Sequence, residues 1–96
     1  MHASDEFFQF CRGLHQDFML YGPEPHDWIA GALDFVRKGR LPLLRAYIDG
    51  LLNGDFSDAE LQRIYRSTET ELAIWDDRGV REFLKMVRDV IDKRGV

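Results

Sequence analysis

Apolar side chains recur along the chain three and four residues apart, a spacing that places them on one face of an α-helix. The first such stripe consists of Phe7, Cys11, Leu14 and Phe18. It predicts a first helix from Asp5 to Leu20. The glycine and two prolines within residues 21–25 then end that helix, because neither residue type continues one readily.

The next two stripes predict two further amphipathic helices. The second helix is expected to start near Pro25, which is tolerated in a first turn, and to end at residues 38–39, with Phe35 on its inner face. The third is expected to open at Arg40 and to run to the Asn-Gly stop at residues 53–54.

The second half of the chain predicts two more helices separated by an irregular segment. Ser57 and Glu60 have the spacing of a capping box, which predicts a short fourth helix. Residues 67–75 contain threonines and an isoleucine that lower helix propensity, so part of this segment is expected to be loop or extended chain. Asp76 and Asp77 supply acidic groups for the start of a last helix.

These patterns predict an all-α fold in which residues 1–96 form one compact bundle of about five helices. A chain of 96 residues with 45% hydrophobic residues can bury one core. No run approaches the ~18 apolar residues of a membrane span, and the N-terminus is acidic where a secretory signal would be basic. We therefore expect a cytoplasmic protein with no membrane partner, and a buried thiol at the lone Cys11.

Motifs of catalysis and of cofactor binding are missing from the sequence. The three histidines and one cysteine lack the spacing of a zinc site, and there is no glycine-rich phosphate loop or nucleophile elbow. His15 and Asp17 lie two residues apart, so on a helix they would point in different directions. We therefore expect no catalytic residue, no cofactor and no metal.

Charge is distributed unevenly along the chain. The net charge of -4 disfavours a nucleic-acid partner, because proteins that bind nucleic acid normally have a basic face. Residues 1–36 contain six acids and one arginine, a net of -5, whereas residues 37–96 contain eleven acids and twelve bases, a net of +1. An acidic first third is typical of a protein that meets a basic partner there, and an ordinary solvated surface is the alternative.

Three polar residues, His15, Gln16 and Asp17, interrupt the first apolar stripe shortly before Tyr21 and Gly22. The imidazole and the amide can bond carbonyls left free at a helix end, whereas an ionised carboxylate needs an N–H or the cation of a partner. We interpret these five residues as a structural motif that ties the end of the first helix to the loop and helix after it. Asp17 is also a candidate for partner binding.

Aromatic and acidic side chains supply the other candidates for partner binding. Aromatic rings are common in binding hot spots, and acids complement a basic partner. Trp28 and Tyr47 are interpreted as core residues, while core and interface stay equally open for Trp75. The partner-binding candidates are Asp17, Glu24, Asp27, Glu69, Glu71, Trp75, Asp76 and Asp77.

Four short motifs follow one another along the chain. They are His15-Gln16-Asp17-Phe18 with Tyr21-Gly22, then Ile48-Asp49-Gly50-Leu51-Leu52, Ser57-Asp58-Ala59-Glu60-Leu61 and Arg81-Glu82-Phe83-Leu84. In this order, and over nearly the whole chain, they resemble the immunity proteins of bacterial contact-dependent growth inhibition systems. The chain departs from the family between the fourth and fifth helices, where members often carry a glycine and tyrosines and this chain has Thr68 to Trp75.

The resemblance implies a non-enzymatic cytoplasmic protein that binds and neutralises the toxin domain delivered by a neighbouring cell. Many such toxins are nucleases, which are basic where they bind nucleic acid, so an acidic inhibitor is physically sensible. Two other functions stay open, a helical adaptor or regulatory module with another protein partner and a small hydrolase that uses His15. The resemblance identifies neither the cognate toxin nor the oligomeric state.

Overall fold

The structure is a computed structural model that describes residues 4–14, 18–68, 70, 72, 74 and 77–94. Over these residues the chain is all-α, with five α-helices, two short 3-10 helices and no strand. The helices are α1 Asp5–Arg12, α2 Pro25–Leu33, α3 Leu41–Asn53, α4 Asp58–Arg66 and α5 Asp77–Lys93. The 3-10 helices are Phe18–Tyr21 and Lys38–Arg40. The predicted fold class is confirmed.

The first helix is shorter than the sequence predicted. It starts as expected, with the backbone N–H of Phe7 donating to the Ser4 hydroxyl, but it ends at Arg12 instead of Leu20. The reason is tertiary: a β-carbon on Gly13 would lie 2.7 Å from the Cα of Ala32, so α2 crosses the chain at this glycine. Leu14 remains fully buried, although it lies beyond the helix.

The second helix also ends early, at Leu33 instead of residues 38–39. The N–H groups of Asp34 and Phe35 bond carbonyls three residues back, which tightens the chain into a turn after Leu33. Because the turn changes the helical period, Phe35 is half exposed and not on the inner face as predicted.

The third, fourth and fifth helices lie where the sequence placed them. The predicted capping box of α4 is confirmed, since the Glu60 N–H donates to the Ser57 hydroxyl and the Ser57 N–H donates to the Glu60 carboxylate, each at 3.1 Å. These helix starts depend on side chains within one turn, and such local signals can be read directly from sequence.

All five α-helices contribute to a single core. Its largest fully buried side chains are Tyr65, Phe7, Phe10, Leu14, Ile29, Leu33, Leu44, Ile48, Leu61, Leu84, Ile91 and Val80. Cys11 is a free, fully buried thiol, as predicted, and burial raises its pKa to about 12. Of the helices that the structure describes, none combines the length and the apolar character needed to cross a membrane.

Ion pairs join α5 to α3 and α4, and the residue after α5 bonds α2. Arg88 donates to Asp49 of α3 at 3.0 Å, and Arg81 donates to Asp58 of α4 at 2.7 Å. At the far end of the helix, Arg94 donates to the carbonyl of Ala30 in α2 at 2.8 Å. Among the described residues, three acids of the second part of the chain, Asp49, Asp58 and Asp92, are thus paired with arginines of another helix.

Candidate functional site

Tyr21 and Gly22 lock the end of α1 to α2. The Tyr21 hydroxyl donates to the carbonyl of Gly13 at 3.0 Å, and the indole N–H of Trp28 donates to the carbonyl of Gly22 at 2.8 Å. Burial, with a smaller contribution from the Asp34 carboxylate, raises the pKa of Tyr21, so its hydroxyl stays protonated. Tyr21 and Gly22 thus connect the end of α1 to α2, whereas the other three residues of the predicted motif lie outside the described residues.

Two glycines make this junction possible. A β-carbon on Gly31 would lie 2.3 Å from the ring of Tyr21, so the ring rests directly on the α2 backbone. Gly22 has a φ of +156°, and a β-carbon there would lie 2.6 Å from an Asp27 carboxylate oxygen. Larger residues at either position would force the 3-10 helix of residues 18–21 away from α2.

Two large apolar side chains project from this locked turn. Met19 is 63% exposed and Leu20 is 84% exposed, the two highest values among the large hydrophobic residues described. We refer to them as the Met19–Leu20 pair. Sequence reasoning missed the pair, because it placed both residues within the first helix. No local signal marked the break, because Gly13 keeps a right-handed helical backbone, with φ of -69° and ψ of -14°, and its close contact is with Ala32 of α2.

The predicted partner-binding acids Glu24 and Asp27 follow immediately at the start of α2. The Asp27 carboxylate accepts from the backbone N–H of Glu24 at 3.1 Å, so it caps the helix and is half-buried. The Glu24 side chain is exposed, and no ion pair joins it to another described residue. Glu24 is thus the acid of this stretch that is most available to a partner.

The acidic first third of the sequence does not form one uniformly acidic face. Asp34 lies 3.6 Å from Arg94, a cation contributed by the other end of the chain. Asp5 and Glu6 line a depression of about 230 Å³ together with Gln9 and two arginines, Arg37 and Arg40. Folding therefore cancels part of the asymmetry that is visible along the sequence, and the acidity nearest the Met19–Leu20 pair is that of Glu24 and Asp27.

Several predicted residues lie outside the part of the chain that the structure describes. They are His15, Gln16, Asp17, Glu69, Glu71, Trp75 and Asp76. Asp77 begins α5, as its predicted place at a helix start requires, and its side chain is also outside the described residues. Their assignment to partner binding stays a prediction.

Trp28 and Tyr47, interpreted from the sequence as core residues, are partly buried and pack against the core. Tyr47 does so beside Phe7, with ring centroids 5.5 Å apart. Among the described residues, no group of three or more histidine, cysteine, aspartate or glutamate side chains is placed to hold a metal ion.

Residues of three of the motifs behind the family resemblance form contacts between helices, and the third and fourth motifs contact each other. Asp49 of the second motif accepts from Arg45 and Arg88, which links α3 to α5. Arg81, which opens the fourth motif, donates both to Asp58 of the third motif and to the carbonyl of Phe56, at 2.7 and 2.8 Å. These motif residues hold helices together.

Comparison of the chain with protein-family models, with curated proteins and with solved structures finds no match.

Proposed function

We propose that this chain is the immunity protein of a contact-dependent growth inhibition system, and that it binds and neutralises a toxin domain without being an enzyme. The observation that carries the proposal is the contact between motifs that lie far apart in sequence. Asp58 and Arg81 belong to two of the four motifs and form an ion pair at 2.7 Å across 23 residues. Residues that carry the resemblance thus also take part in packing α4 against α5.

The proposed partner is a basic nuclease domain. Nucleases carry cations where they hold a phosphate backbone, and a protein that covers such a surface gains association rate from carboxylates placed opposite them. Glu24 and Asp27 at the start of α2 are the described acids proposed to face this partner. The second proposed stretch comprises Glu69, Glu71, Trp75, Asp76 and Asp77, with Asp17 as a further candidate.

The test is binding to the toxin domain encoded beside this gene, together with protection of cells that express that domain. A reading frame for a very large secreted protein with a variable C-terminal domain is expected immediately upstream. The double variant Glu24→Gln/Asp27→Asn removes two charges, while the asparagine keeps an oxygen that can accept from the Glu24 N–H. We expect association to slow several-fold at low salt, and the difference to shrink as salt rises, because salt screens the complementary fields.

The control is Asp55→Asn/Asp89→Asn, which changes the net charge equally at two exposed positions elsewhere. We expect it to leave the association rate close to that of the wild type. Equal effects of the two double variants would show that only total charge matters. A wild-type chain that neither binds the toxin domain nor protects cells would contradict the immunity function and favour the adaptor or regulatory alternative.

A further inference from the structure

We infer that the Met19–Leu20 pair is the apolar anchor of the partner interface, and that it inserts into an apolar pocket edged by lysine or arginine on the toxin domain. This inference rests on the proposed function and assigns residues that the resemblance does not. It also places the binding hot spot in the turn between α1 and α2, and not at the candidate Trp75.

Exposure is the first argument. A single exposed leucine is ordinary on a protein surface, but two adjacent large apolar side chains at 63% and 84% exposure keep most of their area in water. No described residue covers most of this area, and a partner that covered it would remove it from water. The other exposed large hydrophobics, Phe35, Leu43 and Met86, are between 36% and 50% exposed, and none is adjacent to another in sequence.

The backbone on the C-terminal side of the pair is tied to α1 and α2 by hydrogen bonds. The N–H of Gly22 donates to the Met19 carbonyl at 3.4 Å. The Tyr21 hydroxyl donates to the Gly13 carbonyl, and the Trp28 indole N–H donates to the Gly22 carbonyl. A side chain displayed on a fixed turn loses less conformational freedom on binding than one on a mobile loop. Hot-spot residues gain most from such preorganisation.

The charge beside the pair selects the occupant. Glu24 is exposed four residues after Leu20, so a partner that covers the pair also meets a carboxylate and favours cations at its pocket edge. A second copy of this chain is a poor occupant, because a two-fold dimer through this patch would bring the two Glu24 carboxylates towards each other. The half-exposed Phe35 lies in a depression together with Arg12. Because Arg12 would repel a basic partner, Phe35 is a poorer anchor for such a partner than the Met19–Leu20 pair.

The test is the dissociation rate of the complex with the adjacent toxin domain, measured for Met19→Gln/Leu20→Gln. Both positions are exposed, so the unfolding curve is expected to match that of the wild type. We expect dissociation at least about thirtyfold faster with a nearly unchanged association rate, the loss typical of a hot spot. The matched control is Leu43→Gln/Met86→Gln, which makes the same two replacements at exposed positions on α3 and α5 and is expected to change dissociation less than about threefold.

Three results would overturn the inference. Wild-type-like dissociation of the Met19→Gln/Leu20→Gln variant would do so while leaving the immunity function intact, and a large effect of Trp75→Ala beside that result would then place the anchor in the second stretch. A concentration-dependent dimer that the variant abolishes would identify a second copy as the occupant. Failure of the wild-type chain both to bind the toxin domain and to protect cells would overturn the inference together with the proposed function.

Discussion

The Tyr21 ring occupies the space that a β-carbon on residue 31 would need. We therefore expect Gly31→Ala to destabilise the protein by about 1–3 kcal/mol, even though alanine is the better helix former, because the ring must move or the helices must part. Chemical denaturation measures the loss.

Gly50 provides the matched control for this substitution. It also lies within a helix, it is exposed, and nothing lies within 4 Å of a β-carbon built on it. Gly50→Ala is expected to stabilise by up to about 1 kcal/mol. Similar effects of the two substitutions would mean that the Tyr21 contact has little energetic weight.

Cys11 links burial to the pH dependence of stability. Burial is the main cause that raises its pKa from 9.0 to about 12, against a smaller opposing effect of a hydrogen bond with Thr68. Because the folded pKa is the higher one, the contribution of the protonated thiol is fully present below pH 9.0 and is lost as pH rises towards 12. At pH 7 this group adds no pH dependence.

We expect the free energy of unfolding of the wild type to fall by about 1.4 kcal/mol more between pH 7 and pH 10 than that of Cys11→Ala. Denaturant titrations at the two pH values measure the difference. Burial also raises the pKa of Tyr65, so both proteins lose stability at high pH, and only the difference between them reports on Cys11. Parallel pH profiles would contradict the predicted role of the thiol.

At the scale of elements, the sequence predicted helix starts better than helix ends. The start of α4 depends on Ser57 and Glu60, which are three residues apart and bond each other reciprocally. The end of α1 depends on Gly13 meeting Ala32, nineteen residues later, which no local pattern reveals. The prediction therefore succeeded at the start of α4, where the deciding contact lies within one turn, and failed at the end of α1, where it comes from another helix.

The segment after α4 is attached to the fold through its backbone. Tyr65 donates to the carbonyl of Leu72 and Gln62 donates to the carbonyl of Ile74, each at 2.5 Å. Thr68 is fully buried and bonds Cys11, while the buried side-chain oxygen of Gln62 has no hydrogen-bond partner among the described residues. We call Thr68, Thr70, Leu72 and Ile74 the anchored segment. Opening of this segment would uncover the Cys11 thiol.

Tyr65→Phe keeps the ring and removes the hydroxyl that bonds Leu72. We expect labelling of Cys11 by a thiol reagent to accelerate about fivefold to tenfold, as a loss of ~1 kcal/mol for one hydrogen bond predicts, with little change in helix content by circular dichroism. Cys11 is the only cysteine, so labelling reports a single site.

Tyr47→Phe is the control for this experiment, since its hydroxyl bonds the backbone of Ser4 at the start of α1. It is expected to affect labelling less than Tyr65→Phe does, when both are compared at equal global stability. Equal acceleration by both variants would mean that Cys11 becomes accessible only when the whole domain unfolds.

At the scale of the whole molecule, charge was the least predictable property of the candidate site. Summed along the chain, the first third is acidic, yet Asp34 pairs with Arg94 across sixty residues and Asp27 is used to cap its own helix. Pairing at such separations follows from helix packing, which composition does not specify. The sequence thus supplied the list of candidate acids. Of the acids on that list that the structure describes, Glu24 and Asp27 are the ones nearest the Met19–Leu20 pair.

Helix α5 is the last helix of the bundle. Its Arg81 is a partly buried cation with two hydrogen-bond partners. It is about a quarter exposed, and it serves both the Asp58 carboxylate and the Phe56 carbonyl, whereas Lys85, one turn later, makes one 3.4 Å pair with the exposed Glu82. Removing Arg81 leaves a half-buried carboxylate and a carbonyl without their donor. The resulting loss of stability is larger than the loss from breaking a solvated ion pair.

Arg81→Met keeps most of the alkyl stem, so its effect isolates the guanidinium. We expect a loss of about 1–3 kcal/mol for Arg81→Met and of less than about 0.5 kcal/mol for the control Lys85→Met, measured by denaturant titration. An unchanged dependence of the unfolding free energy on denaturant would indicate that the helix stays docked in a two-state domain. Equal losses would mean that the contact between the third and fourth motifs is an ordinary surface pair, and would remove the main structural support for treating the resemblance as more than local.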